Sequence, residues 1–273
     1  MNCNIILVVN DKPFIEVANA FKYSLEELGH NVAIVGDDKN RYGELNIVIK
    51  ALRAYDHSKV PGIRILFQTE ELWNRRIKGI YDLSKGWKRV LELYPENLKL
   101  RNTENVVYFP VGYSKAFEIN LPKQEEDLDV YFFGSMTKRR KGLKIMLENS
   151  GLKVRIIQGE YGKERNLNIM RSKIILNMKA HDLWSYGPLH CLLAQCSKKF
   201  MLCEHTGIGY GIYKPGKHFA EFKDPNDMIP SIKWWLDHEK ERKNFANNAY
   251  DDIKNNMNFT NILKGAIGDL LRR

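Results

Sequence analysis

Apolar residues in this chain gather into short unbroken runs, separated by stretches with helical spacing. In the first half the runs are Ile5 to Val9, Asn31 to Val35, Leu45 to Ile49, Ile63 to Phe67, Arg89 to Leu93 and Val106 to Phe109. In the second they are Val130 to Phe133, Val154 to Ile157, Ile174 to Asn177 and Phe200 to Cys203. Runs without polar alternation predict strands buried on both faces, hence parallel sheets covered by helices. The segments between them supply those helices. Phe14 to Leu28 is amphipathic and stops at Gly29, a helix starts at Glu70 with Thr69 or Gln68 able to cap it, and Pro95 opens a short one. Another follows the cations Lys138 to Lys141 and ends near Gly151, and three more (228–238, 240–255 and 259–272) finish the chain.

Residues 114–128 interrupt this order. They lack periodicity, contain Pro122 and carry the acidic run Glu125-Glu126-Asp127, as a linker would. The expected fold class is therefore α/β, with two Rossmann-like doubly wound domains facing a cleft. The domains are expected at 1–120 and 121–273, with the C-terminal helices in the second. A chain of 273 residues is long enough for both cores.

Composition narrows the class of protein. Hydrophobic residues make up 44% and charged residues 28%, as in soluble globular chains, and no apolar run approaches the roughly 20 residues that cross a bilayer. The opening MNCNIILVVN lacks a basic leader and a cleavage site, so it reads as a first strand and a cytoplasmic location is expected. The net charge of +10 fits a nucleic acid, an anionic membrane surface touched peripherally, or an anionic small substrate. It fits equally an excess spread over solvated faces. His190, Cys191, Cys196, Cys203 and His205 crowd together without the paired spacing of a zinc site. The cysteines fall in an apolar helix and strand, so reduced core thiols are expected and no metal.

Four segments resemble a known family. "FQTEELW" (67–73), "KRVLELYPENLKL" followed by "VVYFPVGYS", "DVYFFGSMTKRR" and "KKFMLCEHTG" are similar, in this order, to segments of glycosyltransferases of the two-domain GT-B architecture. The likeness is nearest to the group-1-type and spore-maturation-like enzymes and spans about residues 60–240. It implies a transferase that moves a sugar from a nucleotide-diphosphate sugar to a hydroxyl acceptor. The second domain would hold the nucleotide sugar and the first a glycan-type acceptor. It also implies no cofactor and no metal, because protein cations and a helix N-terminus offset the diphosphate charge. Related retaining enzymes carry two glutamates eight residues apart, whereas "DLWSYGPLHCLLAQCSKKF" has none. Either Glu204 or His190 then supplies the missing polar contacts or the sugar-binding mode differs, and the gap also fits a nucleotide-binding protein without catalysis, while the net charge allows an acceptor base in DNA or RNA.

The candidate donor residues follow a strand and a Gly-Ser break. Gly134 and Ser135 would let the backbone approach phosphates, and Ser135 could also cap the next helix. Arg139 and Arg140 oppose the dipole of that helix, so a diphosphate would explain them better than helix stability does. Glu204, ending a buried strand, needs a partner, either a ribose diol or a lysine. His190 is a sugar or phosphate contact or a satisfied core histidine. Gly207 opens a GxGxG stretch with no helix after it, a flexible loop near the sugar or a plain turn. Tyr161-Gly162 offers a base-stacking loop. For a general base the first domain offers Asp11 and Glu70, with Asp56 behind them, although Asp11 also suits a helix cap and Glu70 a helix start.

Overall fold

The structure is a computed structural model and describes residues 1–8, 12–37, 41–49, 57–71, 85–99, 103–181 and 186–272. The apolar runs are its strands. β1 (Asn2–Leu7), β2 (Asn31–Gly36), β3 (Leu45–Ile49), β4 (Ile63–Gln68), β5 (Arg89–Glu92) and β6 (Val106–Tyr108) pair in parallel in the order β2-β1-β3-β4-β5-β6. β3 is buried at all of its positions, which is why its sequence shows no alternation. α1 (Ile15–Glu27) covers this sheet with Val17, Ala18, Phe21 and Leu25, the apolar stripe of a 3.6-residue period. α2 (Pro95–Leu98) opens on its proline.

A second parallel sheet runs β11-β10-β9-β7-β8. Its order along the chain is β7 (Leu128–Phe133), α3 (Lys138–Glu148), β8 (Val154–Ile157), α4 (Gly162–Arg171), β9 (Ser172–Asn177), α5 (Pro188–Gln195), β10 (Phe200–Glu204) and β11 (Ala220–Phe222). α6 (Pro225–Asp237), α7 (Glu239–Asn256) and α8 (Phe259–Ile267) close the chain. Val130, Phe132, Ile174, Leu176, Phe200 and Leu202 form the centre of its core.

The chain divides into one unit of Met1–Ala116 with Met257–Arg273 and another of Phe117–Asn256. This corrects the expected assignment of the last helix to the second domain. Phe259 is fully buried among Phe21, Phe67 and Phe109, at ring centroid distances of 5.0 and 5.4 Å from Phe21 and Phe109. Tyr113 donates its backbone N–H to Met257 O at 2.6 Å and accepts from Phe259 N at 2.8 Å. Gly112 makes that approach possible, because a Cβ there would lie 1.9 Å from Met257 O. Thr260 hydroxyl bonds Glu27 at 2.6 Å and Ser24 at 3.0 Å on α1, and Arg89 pairs with Asp269 at 2.6 Å. The linker expectation also changes in detail. Phe117 is buried, Glu126 pairs with Lys199 at 2.5 Å and Asp127 pairs with Arg171, so the acidic run is anchored to the second unit.

Candidate functional site

In the second sheet the chain reverses its direction of travel at β7, which has β8 on one side and β9 on the other. A parallel sheet opens a ligand crevice beside the carboxyl ends of its strands at such a point. The residues following β7, β9 and β10 meet there.

Arg139, on the first turn of α3, reaches the end of β10. Its Nη1 donates to Glu204 Oε2 at 2.8 Å and to Lys179 O at 3.2 Å, and its Nη2 donates to Glu204 Oε1. Glu204 is almost wholly buried and also accepts Lys179 N–H at 2.9 Å, while Lys179 Nζ stands 3.8 Å from Oε1. The fork of a guanidinium matches both carboxylate oxygens, giving the strong form of a charge-assisted pair. Arg139 keeps 22% of its side chain exposed. Arg140 is buried. Its Nε and Nη2 donate to Met178 O at 3.0 and 2.5 Å, its Nη1 donates to Ser135 O at 2.9 Å and to Ser135 Oγ at 3.2 Å, and the guanidinium lies 5.0 Å from the Phe132 ring. Burial lowers its pKa to about 10, Glu204 opposing and Arg139 assisting, so it stays charged at neutral pH.

Each of these side chains therefore has a protein partner, which the sequence does not disclose. The lysine alternative for Glu204 is realised only weakly, through Lys179 at 3.8 Å, while Arg139 is its main partner. The cap of α3 is Thr137, which accepts from Arg140 N at 3.3 Å and donates to Ala180 O at 2.9 Å, so the capping role considered for Ser135 is corrected. Ser135 is exposed at the rim. Gly134 has a φ of +151°, and a Cβ on it would meet the Phe132 ring at 3.3 Å and both Arg140 Nη1 and His190 Cε1 at 3.6 Å. The turn thus favours glycine through its φ, which L side chains rarely adopt, more than through the nearby α3, whose contacts are ordinary van der Waals distances.

His190, on the first turn of α5, stacks on Phe133 with ring centroids 4.0 Å apart. Its Nε2 is buried and has no hydrogen-bond partner. Burial, with the charges of Arg140 and Arg165, pushes its pKa down to about 3, so the ring is neutral at pH 7. It is not the satisfied core histidine that the sequence allows. Gly207, in the loop after β10, donates its N–H to Tyr210 Oη at 3.1 Å. Tyr210 Oη in turn donates to Glu221, which also faces His205 Nδ1 at 3.2 Å. That hydrogen-bonded net gives the GxGxG stretch its turn.

In the first unit Glu70 is half-buried at the end of β4 and donates its N–H to Gln68 Oε1 at 3.0 Å. Asp11, Asp56 and the helix expected to start at Glu70 lie outside the described residues. Two groups escaped the sequence reading. Glu160, just after β8, accepts from Tyr131 Oη and Arg155 Nη2 at 2.6 Å and from Asn168 Nδ2 at 2.8 Å. Burial opposes its ionisation, yet these bonds hold its pKa below the usual range. The second is Gln158, whose Oε1 accepts Met136 N–H at 2.9 Å and ties the loop after β8 to the loop after β7. A polar residue just past a mostly apolar strand is the sequence signal for either. All four cysteines are free and buried, and no group of three or more metal-ligating side chains occurs among the described residues.

The arrangement is that of the GT-B fold: two units, each a parallel sheet flanked by helices, with polar groups gathered at strand carboxyl ends. Sucrose-phosphate synthase from Thermosynechococcus elongatus superposes with a TM-score of 0.64 at 10% identity, covering 100% of this chain and 98% of that one. The DNA-modifying enzyme β-glucosyltransferase, solved with and without its substrate uridine diphosphoglucose, superposes with a TM-score of 0.63 at 15% identity, covering 98% and 100%. No family model matches the sequence. Over 105 residues the chain is 32% identical to an uncharacterized protein of Acanthamoeba polyphaga mimivirus, a segment that is 35% of this chain and 12% of that protein. A second protein of the same virus is 28% identical over 140 residues, 47% of this chain and 44% of its own length. The chain thus spans less than half of these relatives. Among the described residues no helix is long and apolar enough to cross a membrane.

Proposed function

We propose that the protein is a glycosyltransferase that moves a sugar from a nucleoside diphosphate sugar to a hydroxyl acceptor, with the donor held by the second unit. The observation that carries this reading is the convergence of Gly134, Arg139, Arg140, His190 and Glu204 at the carboxyl ends of β7, β9 and β10. The leaving nucleoside diphosphate gains negative charge as the glycosidic bond breaks, and fixed cations aimed at it lower the barrier. Arg139, partly exposed and held in place by Glu204, is the group able to face it. Arg140 adds a fixed positive potential from below and orients Ser135, whose hydroxyl proton remains free for a phosphate oxygen. With its pKa held down to about 3 by burial and two nearby guanidinium groups, His190 is a weak base at neutral pH and takes no proton-transfer role. Its unpartnered Nε2 suits a sugar hydroxyl, as the absent glutamate pair would otherwise require. These cations make a resident metal or cofactor unnecessary on this reading. Glu70 is the described candidate for the base that takes the acceptor proton, and Asp11 remains the other.

A nucleic-acid acceptor is the second reading, favoured over a glycan by the net charge of +10 and by the likeness to an enzyme that modifies DNA. Its mark would be duplex binding that weakens steeply with salt, through counterion release.

The test is a thermal-shift series with UDP, GDP, ADP and their sugar conjugates, followed by a turnover assay on whichever binds. A ligand at a hundred times its Kd stabilises the native state by about 2.7 kcal/mol. That is a rise of roughly 5–10 °C for a protein of this size. Arg139→Met should remove the rise relative to its own ligand-free melting temperature. No rise with any nucleotide would sink the donor reading. Binding without turnover would leave a nucleotide-binding protein.

A further inference from the structure

We propose that a cavity at the amino ends of β9 and β10 is a second anion site, taking a ligand that carries two or more linked phosphate groups. The cavity has a volume of about 520 Å³ and lies wholly within the second unit, a size typical of small-molecule sites. Lys173, near the start of β9, and Lys199, immediately before β10, line it. Glu204 ends β10, so the candidate donor site stands at the opposite edge of the sheet, roughly 15 Å away. The two share no residue.

Six cations line the cavity against three carboxylates. Most of this charge is committed. Lys199 bonds Glu126 and Ser172 O, Lys173 bonds Asp129, Lys243 bonds Glu239, and Arg242 donates to Leu236 O and Trp235 O. Among the described residues no carboxylate pairs with Lys123 or Lys198, and the Lys198 ammonium sits 4.8 Å over the Tyr250 ring.

Lys198 is unusual in its backbone as well. Its φ is +56°, the only positive value at a non-glycine among the described residues. It closes α5 in a turn where Lys198 N bonds Gln195 O at 3.2 Å and Lys199 N bonds Ala194 O at 2.9 Å. Glycine is the usual residue at this left-handed position because it has no Cβ to strain. A strained residue that persists points to a use for its side chain. Here that side chain is a cation resting on an aromatic face at the wall of a cavity whose cations outnumber its carboxylates, and a polyphosphate is the ligand chemistry that answers such an excess. The phosphates come either from a free metabolite or from a nucleic-acid backbone.

The experiment is calorimetric titration of the whole protein with inorganic triphosphate, in the native chain and in Lys198→Gly, Lys123→Ala and Arg139→Met. Lys198→Gly should melt higher than the native chain, because strain is relieved, and yet bind triphosphate about tenfold more weakly. Titrated in an Arg139→Met background, where the donor site is disabled, triphosphate should still bind, and adding Lys123→Ala or Lys198→Gly should weaken that remaining binding. A lysine kept only to complement the helix end would move the melting temperature and not that affinity, which overturns the proposal, as would loss of all triphosphate binding in Arg139→Met. Competition by a DNA duplex assigns the phosphates to a nucleic acid, and its failure assigns them to a free ligand.

Discussion

The pair between Arg139 and Glu204 lends itself to a double-mutant cycle. Arg139→Met keeps the aliphatic bulk and leaves Glu204, with a side chain only 1% exposed, holding the Lys179 N–H and a lysine ammonium at 3.8 Å. Removing one partner of a buried pair costs about 3–5 kcal/mol. Because Arg139 is 22% exposed, water reaches the vacated side, and the lower end, about 3 kcal/mol, is the expected loss. Glu204→Gln keeps the shape and should cost about 2 kcal/mol, since the amide returns a donor towards the guanidinium. The double variant buries no lone carboxylate, so it should be less damaged than the sum, with a coupling of about 2 kcal/mol. Hydrogen exchange at the amides of β9 and β10 reads the opening free energy of the second unit without assuming that both units unfold together. Additivity within about 0.5 kcal/mol would refute the account, because it would mean the two side chains do not hold each other.

Two further outcomes are expected. Gly112→Ala should loosen the docking of α8, because its Cβ would fall 1.9 Å from Met257 O; a protease-protection pattern unchanged over 257–273 would contradict this. Acid should weaken the fold through His190, whose folded pKa of about 3 lies below the unfolded value near 6.5. The unfolded chain binds the extra proton between those values, so stability is full above pH 6.5 and falls towards pH 3 by up to about 1.4 kcal/mol per pH unit. His218 shifts in the same direction, burial outweighing its bond to Asp252. Replacing His190 with Phe should flatten the urea midpoint between pH 6.5 and pH 4.5 by one proton's worth, and an unchanged slope would show that the ring is not neutral in the native state.

The strands were legible because parallel strands under helices leave short, mostly apolar runs without polar alternation. Leu45–Ile49 and Val154–Ile157 are located to the residue in this way, although each carries one polar side chain, Asn46 and Arg155, and the second is only half-buried. The partners of the candidate site were not legible, since Arg139 and Glu204 are 65 residues apart and nothing local links a guanidinium on a helix turn to a carboxylate ending a strand. The spacing of Phe259, Leu263 and Ile267 shows that α8 buries one face. It cannot show that the face meets Phe21 and Phe109, far away in the chain, instead of the sheet just completed. Ser135 and Thr137 are both fit caps by residue type, and only the position of Arg140 N decides between them. His190 is the opposite case. Its residue type and helical setting mark it in the sequence, but its depressed pKa comes first from its burial and then from Arg140 and Arg165 lying near it.

The return of residues 257–273 to the first unit has a consequence for biosynthesis. A ribosome delivers Met1–Ala116 long before Phe259, so the aromatic cluster of Phe21, Phe67 and Phe109 emerges lacking one of its four rings. Phe117–Asn256 is a continuous segment and can close its own core as it appears, whereas the first unit waits for residues 257–273. The unit begun first is thus completed after the second. Until Phe259 has been delivered, an unfinished phenyl cluster is what a chaperone would meet.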